Sequence, residues 1–272
     1  LVEIQSGLVS LFKSPALGLC QKKIFPPFQL LHKHLRNETQ VCEAVEMEEK
    51  MFLYWGSGSL PCWRVMIALE EKGFGGYPNK LIEFSKEEHK TEEIMKLNPR
   101  GQVPTFRDGD IVVNESNAIC QYLETRYKNH GTRLIPDDPK EMAAVLQKMY
   151  ESSNIQENIV SGVVYYQWRT KPEEKDEKVF EERLQKARDE LSRWEKHLEQ
   201  SKTGFIANTT AFSMADVYFY PYVAQMDRFR MDLSKYPNIK AYYERLKNHP
   251  SFVSTCPPHW KDTEKPDLLS RI

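Results

Sequence analysis

Met51-Phe52-Leu53-Tyr54-Trp55-Gly56-Ser57-Gly58-Ser59-Leu60-Pro61-Cys62 is the stretch whose reading decides the fold. Residues 51–55 are an apolar run of strand length, and residues 56–59 are small and loop-forming. Val65, Met66 and Leu69 then fall on a helical period, with Pro61 near the first turn, where its missing N–H costs nothing. Strand, tight loop and helix start together aim unpaired N–H groups and a helix dipole at one spot, which suits a partly negative sulfur. A redox protein of this shape carries Cys-x-x-Cys. Here Ser59 holds the first position, so a hydrogen-bond donor is kept and a nucleophile is lost. The sulfur to be activated therefore comes from outside the chain.

Downstream, residues 80–84 read as a second strand, giving a strand–helix–strand unit with a parallel pair. Asp108-Gly109 between two apolar runs signals a hairpin of antiparallel strands. Pro104 opens the first of these, and its Gln-Val-Pro context predicts a cis bond that turns the Val103 backbone toward a ligand. Asn114-Glu115-Ser116-Asn117 starts a helix, closing a compact βαβ–ββα domain over 47–128. Residues 129–139 have a linker's composition, and 140–255 read as helices throughout, the first over 140–158. Within them Ser213 and Asp216 form a capping box, and the apolar run 217–226 belongs at the domain's centre. Residues 256–272 read as a tail in which Trp260 is the one candidate to pack.

With 272 residues the chain can bury a sizeable core, and a net charge of −1 gives no reason to expect a nucleic-acid or membrane partner. Five scattered cysteines and seven histidines lack ligand spacing, so reduced thiols and no metal are expected. Residues 1–46 stand apart: from Leu1 to Arg36 the only acid is Glu3, against five basic residues, Lys13, Lys22, Lys23, Lys33 and Arg36. That pattern weakly resembles an organelle transit peptide. The plainer reading is a poorly ordered upstream extension or leader, with Met47 or Met51 as the ordinary start, since Pro26-Pro27 interrupts an amphipathic helix.

Ser59-x-Pro-Cys-x-Arg-Val before a helix, Asn98-Pro99-x-x-Gln-Val-Pro104, Asn114-Glu115-Ser116 and the Ser213–Asp216 box stand in the order seen in soluble glutathione transferases. The resemblance covers roughly residues 47–255, and in residues 54–65 it is most like the rho class, near the theta, zeta and delta serine-type groups. It implies a thioredoxin-like N-terminal domain, an all-helical C-terminal domain, a cytoplasmic homodimer (organellar if the extension is a transit peptide), and conjugation of glutathione to small apolar electrophiles. By the same resemblance Ser59 donates to the glutathione sulfur, with Ser57 as runner-up. Val103, before Pro104, meets the cysteinyl part, Gln102 and Pro104 also bind glutathione, and Glu115 with Ser116 holds the γ-glutamyl end. Related classes carry His or Lys where this chain has Gly101, leaving Arg100 or Gln102 to meet the glycine carboxylate.

Each of these positions also has a plain structural reading. Ser59, Glu115 and Ser116 suit helix starts, where capping and anion binding are compatible. Cys62 reads as a packing residue and Arg64 as a member of a salt bridge, within the fold or at an interface. Tyr150, Tyr165, Tyr166 and Trp168 could line the electrophile site or simply fill the core. Two rival functions remain: a glutathione-dependent thiol/disulfide oxidoreductase, disfavoured by serine at position 59, and a non-catalytic binding or structural protein on the same scaffold.

Overall fold

The computed structural model describes Met47 and residues 50–272; the extension expected over 1–46 lies outside them. Strand β1 (Met51–Trp55) leads into helix α1 (Leu60–Glu71), then β2 (Asn79–Leu81), α2 (Glu92–Leu97), β3 (Thr105–Asp108), β4 (Ile111–Asn114) and α3 (Ser116–Arg126). The sheet order is β2-β1-β3-β4. β1 runs parallel to β2 and antiparallel to β3, with Leu53 opposite Asn79 and Phe106. Alternation along β1 serves both faces: Leu53 joins the main core with α1 and α3, while Tyr54 packs with Ile82 and with Ile94 of α2. Gly109, at φ 58, makes the hairpin turn between β3 and β4, as Asp-Gly predicts.

β2 is shorter than expected. Its ladder stops at Leu81, although the Ile82 N–H still reaches the Trp55 carbonyl at 2.7 Å. Burying Ile82 beside Tyr54 and Ile94 takes the chain off the sheet edge into two 3₁₀ turns, Phe84–Lys86 and Glu88–Lys90. The Val103–Pro104 bond is cis.

Beyond residues 127–138 the chain is helical. α4 (Pro139–Ile155) is capped by Asp138 and runs without a break through a π-helical stretch, Gln156–Val164, into α5 (Tyr165–Arg169). This continues past the helix end expected near residue 158. α6 (Glu177–Glu199), α7 (Met214–Arg228), α8 (Pro237–Leu246) and α9 (Pro250–Thr255) follow. Every residue of α7 except Asp227 is buried, so this helix is the domain's axis. Its start is fixed by Asp216, which accepts from the Ser213 N–H and hydroxyl at 3.0 Å, the Ile206 N–H at 3.1 Å and the Tyr242 hydroxyl at 3.2 Å. Burial pushes this carboxyl up to about 6, against the pull of those donors.

Residues 256–272 do not hang free. The Leu269 N–H bonds the Phe229 carbonyl at 2.9 Å, Leu269 and Ile272 are buried, and Trp260 packs edge-on against Trp63 at 5.3 Å. The segment is a strap returning across both domains. Among the described residues no helix is long and apolar enough to cross a membrane.

Replacing Asp216 by alanine strands three buried partners at once and should destabilise the fold by about 3 kcal/mol or more. Urea unfolding of the variant measures this, and a midpoint within error of wild type would contradict it.

Candidate active site

Ser59 is the N-cap of α1, with its Oγ accepting from the Cys62 N–H at 3.4 Å and Pro61 in the first turn. Capping occupies a lone pair and leaves the hydroxyl proton available for a ligand. Cys62 is buried, and its sulfur accepts from the Gly56 N–H at 3.4 Å. Burial pushes the thiol up to about 11, outweighing the Ser59 and Gly56 hydrogen bonds that favour its thiolate. Cys62 is thus a packing residue. Ser57, two residues before Ser59, is engaged elsewhere: its hydroxyl meets Nδ1 of His259, from the strap, at 2.5 Å.

A second helix start faces the same space. Glu115 caps α3 with φ 68 and ψ 116, a conformation unusual for a side chain other than glycine's. Ser116 is buried behind it. Arg64, on α1, donates to Asn117 Oδ1 and to the Tyr222 hydroxyl, both at 3.1 Å, and lies over the Tyr218 ring at 4.4 Å. The salt bridge expected of Arg64 is not present within the described residues; aromatic faces and neutral acceptors take the place of a carboxylate.

The loop carrying Gln102, Val103 and Pro104 is pinned by buried Asn98, whose amide donates to the Gln102 carbonyl at 2.8 Å, and by the Thr105 hydroxyl, which donates to the same carbonyl at 3.1 Å. Gly101 adopts φ 57, and a side chain added there would come within 2.8 Å of Lys90 Nζ and of Met95 Sδ. The Lys90 ammonium, anchored on the Arg100 carbonyl at 3.1 Å, therefore occupies the place that the side chain of residue 101 would take. Nothing in the local spacing of Lys90 and Gly101 announces this, because the 3₁₀ turns after β2 bring them together.

Between the domains lies a cavity of about 900 Å³. Ser57, Ser59, Glu115 and Ser116 line one side, and Tyr150, Tyr165 and Trp168 line the other. Gln102, Val103 and Pro104 are not on its wall. Tyr166 is not on it either: it stacks on Phe180 at 5.7 Å and accepts from the Asp176 N–H at 3.0 Å, turned away from its neighbour Tyr165. Sequence reading missed Phe229, His259 and Trp260, which also line the cavity. The approach of His259 and Trp260 depends on the strap, for which the local sequence carries no periodic signal.

A thioredoxin-like sheet with a serine at its first helix start, joined to a helical domain across an open cavity, defines a thiol-binding transferase scaffold. Comparison with known proteins agrees. Residues 53–131 match the family described as glutathione S-transferase, N-terminal domain, and residues 153–254 match its C-terminal domain. Glutathione S-transferase A of Pleuronectes platessa is 42% identical over 227 residues, covering 83% of this chain and 100% of that protein. The crystal structure of a glutathione S-transferase from the Antarctic clam Laternula elliptica is 48% identical with a TM-score of 0.74, covering 80% of this chain and 97% of that one. A delta-class enzyme of Nilaparvata lugens is 30% identical with a TM-score of 0.68, over 78% and 95%. The chain belongs to the glutathione S-transferase family. It is a glutathione transferase, with glutathione as co-substrate.

Because its pKa is raised to about 11, Cys62 should stay a thiol at pH 7 and resist iodoacetamide in the native protein. Peptide mass spectrometry before and after unfolding reads this directly; rapid native labelling would return Cys62 to the list of reactive groups.

Proposed function

We propose that Ser59 donates its hydroxyl hydrogen to the sulfur of glutathione and holds it as a thiolate for attack on an electrophile in the interdomain cavity. The observation that carries this reading is the Ser59 cap on the cavity wall, at the positive end of α1. Ser57 is the weaker candidate because His259 already engages its hydroxyl. Glu115 and Ser116, at the start of α3, hold the γ-glutamyl end; Gln102 to Pro104, off the cavity wall, are assigned to glutathione by the family motif alone. Lys90 supplies the cation for the glycine carboxylate that Gly101 lacks. Tyr150, Tyr165 and Trp168 receive the apolar electrophile.

Magnitudes limit what thiolate formation achieves. A thiol of pKa ~8.5 is about 3% ionised at pH 7, and one shifted to ~6.5 is about 75% ionised. That roughly 25-fold gain is eroded about eightfold if nucleophilicity falls with pKa as it does in disulfide exchange. A net factor of about three remains, so most of the acceleration must come from proximity and from the electrophile's side.

In Ser59→Ala the thiolate absorption of bound glutathione should vanish at neutral pH and return with an apparent pKa near ~8.5. Turnover should fall about tenfold at pH 6, where the ionised fractions differ about 75-fold before the loss of nucleophilicity is counted, and the deficit should narrow as pH rises. Lys90→Ala should instead weaken glutathione binding about tenfold without moving that pKa, as loss of one charge-assisted contact does. An unchanged thiolate band in Ser59→Ala would transfer the role to Ser57 or a backbone donor.

The protein acts as a homodimer of rho-like kind, detoxifying apolar electrophiles in the cytoplasm. Exposed apolar Leu81 and Phe84, beside the edge strand β2, support the association, and the motifs of residues 54–65 support the class. Sedimentation equilibrium at micromolar concentration should return twice the chain mass; a monomer would rule the dimer out.

A further inference from the structure

The strap gives the cavity a residue that neither domain supplies. It is anchored on both sides of His259. Upstream, the Thr255 hydroxyl accepts from the indole of buried Trp63 at 2.9 Å. Downstream, buried Arg228 donates to the Glu264 carbonyl at 2.7 Å and to the Thr263 hydroxyl, and Leu269 and Ile272 enter the core. Trp260 rests edge-on against Trp63. Between these anchors the imidazole of His259 lies over the loop of residues 56–59. A side chain added at Gly58, the residue before Ser59, would come within 2.9 Å of its Cε1 and 3.5 Å of its Nε2. Gly58, at φ 80, leaves room for that ring.

The ring is held at one nitrogen only. Nδ1 meets the Ser57 hydroxyl at 2.5 Å, and among the described residues no hydrogen bond reaches Nε2. Burial and the nearby Arg228 guanidinium hold the imidazole below its ordinary range, so it is neutral at pH 7 and carries a single N–H. The charged side chain of the strap on this cavity wall is Glu264.

We propose that His259 is the hydrogen-bond donor on the electrophile's side of the reaction: Ser57 donates to Nδ1, fixing the proton on Nε2, and Nε2–H is presented to the atom of the electrophile that gains charge. The inference rests on the reading of Ser59 as the donor to glutathione sulfur. In addition to an α,β-unsaturated ketone, the thiolate pair forms the C–S bond and the π electrons move onto the carbonyl oxygen. Nε2–H stabilises that oxygen as its charge grows, and water then protonates the adjacent carbon. The substrate class so favoured carries a carbonyl or nitro oxygen conjugated to the attacked carbon. An alkyl halide, whose charge leaves with the halide, gains little from such a donor.

The test compares 4-phenylbut-3-en-2-one with benzyl chloride in the full chain, as wild type, His259→Phe, His259→Gln and Ser57→Ala. His259→Phe should lose about tenfold in kcat on the ketone, less than a fully buried donor would cost because the ring is partly exposed to water. Benzyl chloride turnover, glutathione affinity and the thiolate band should be unmoved. His259→Gln, which keeps an N–H donor, should recover most of the ketone rate, and Ser57→Ala should lose more on the ketone than on benzyl chloride. Equal losses on both electrophiles would reduce His259 to a structural part of the strap, and an unchanged ketone rate would overturn the proposal outright. Absence of a thiolate band in the wild type would instead sink the Ser59 reading on which it stands.

Discussion

The cavity lies between two domains, so its shape depends on how the chain passes from one to the other, and a buried carboxylate governs that passage. Glu124, on α3, pairs with Lys72 just past the end of α1, and its oxygens accept from the Leu134 and Ile135 N–H groups of the linker at 3.3 and 3.2 Å. Arg133 approaches it at 3.2 Å, and Lys72 donates onward to the Thr132 carbonyl at 2.9 Å. Burial holds the Lys72 ammonium below its ordinary range even beside its partner. Withdrawing two charges from water offsets most of their attraction, so what the pair supplies is a single path for the linker more than net stability. Gly131 enforces the same path, because any side chain there would run into the Glu71 carbonyl and meet φ 56. The linker can enter α4 in one way, and the aromatic wall of the cavity is placed accordingly.

On the opposite wall, two helix starts face one volume. A helix terminus contributes about 0.3–1 kcal/mol to a nearby anion, and a hydrogen bond to a charged group about 1.5–3 kcal/mol. Together they approach the ~2.7 kcal/mol that a two-unit lowering of a thiol pKa requires. The hydrogen bond reaches that figure alone only near the top of its range, which is why a serine away from the helix start would be a poor substitute for Ser59. The same economy of position explains Glu115. Its φ of 68 is unfavourable locally, yet Ser116 and the N–H groups of α3 are brought to the cavity by it.

What the sequence made legible was local. The strand, loop and capped helix of residues 51–71, the Asp-Gly hairpin, the Ser213–Asp216 box and the buried run of α7 all carry their own signals within a few residues. What it concealed was set by distant packing. β2 ends early because Ile82 finds partners across the sheet, and the helix from Pro139 continues past residue 158 by loosening into a π-helical stretch. Tyr165 and Tyr166 are adjacent and indistinguishable by composition, but successive helical residues point about 100° apart, and only the first lines the cavity. Lys90 and Gly101 are brought together only by the turns between them. Arg64 looked like half of an ion pair, and the two tyrosine rings that receive it lie more than 150 residues away, at Tyr218 and Tyr222.

The strap follows from the same separation of roles. A histidine on a free C-terminal tail would have to lose backbone freedom at about 1–2 kcal/mol per residue before it could act at a fixed point. Here that ordering is met by groups unrelated to chemistry: Leu269 and Ile272 in the core, Arg228 on the Glu264 carbonyl, and Trp260 against Trp63. His259 itself stays partly exposed and contributes little to the packing. A residue held by its neighbours and free of structural duty can change without loss of fold. Ser59 has no such freedom, since its hydroxyl caps α1, and Glu115 holds the N-cap position of α3 through its backbone conformation. On the proposed reading, selectivity for the electrophile has room to vary in the strap and the aromatic wall, while the thiol side is fixed by the helices that build it.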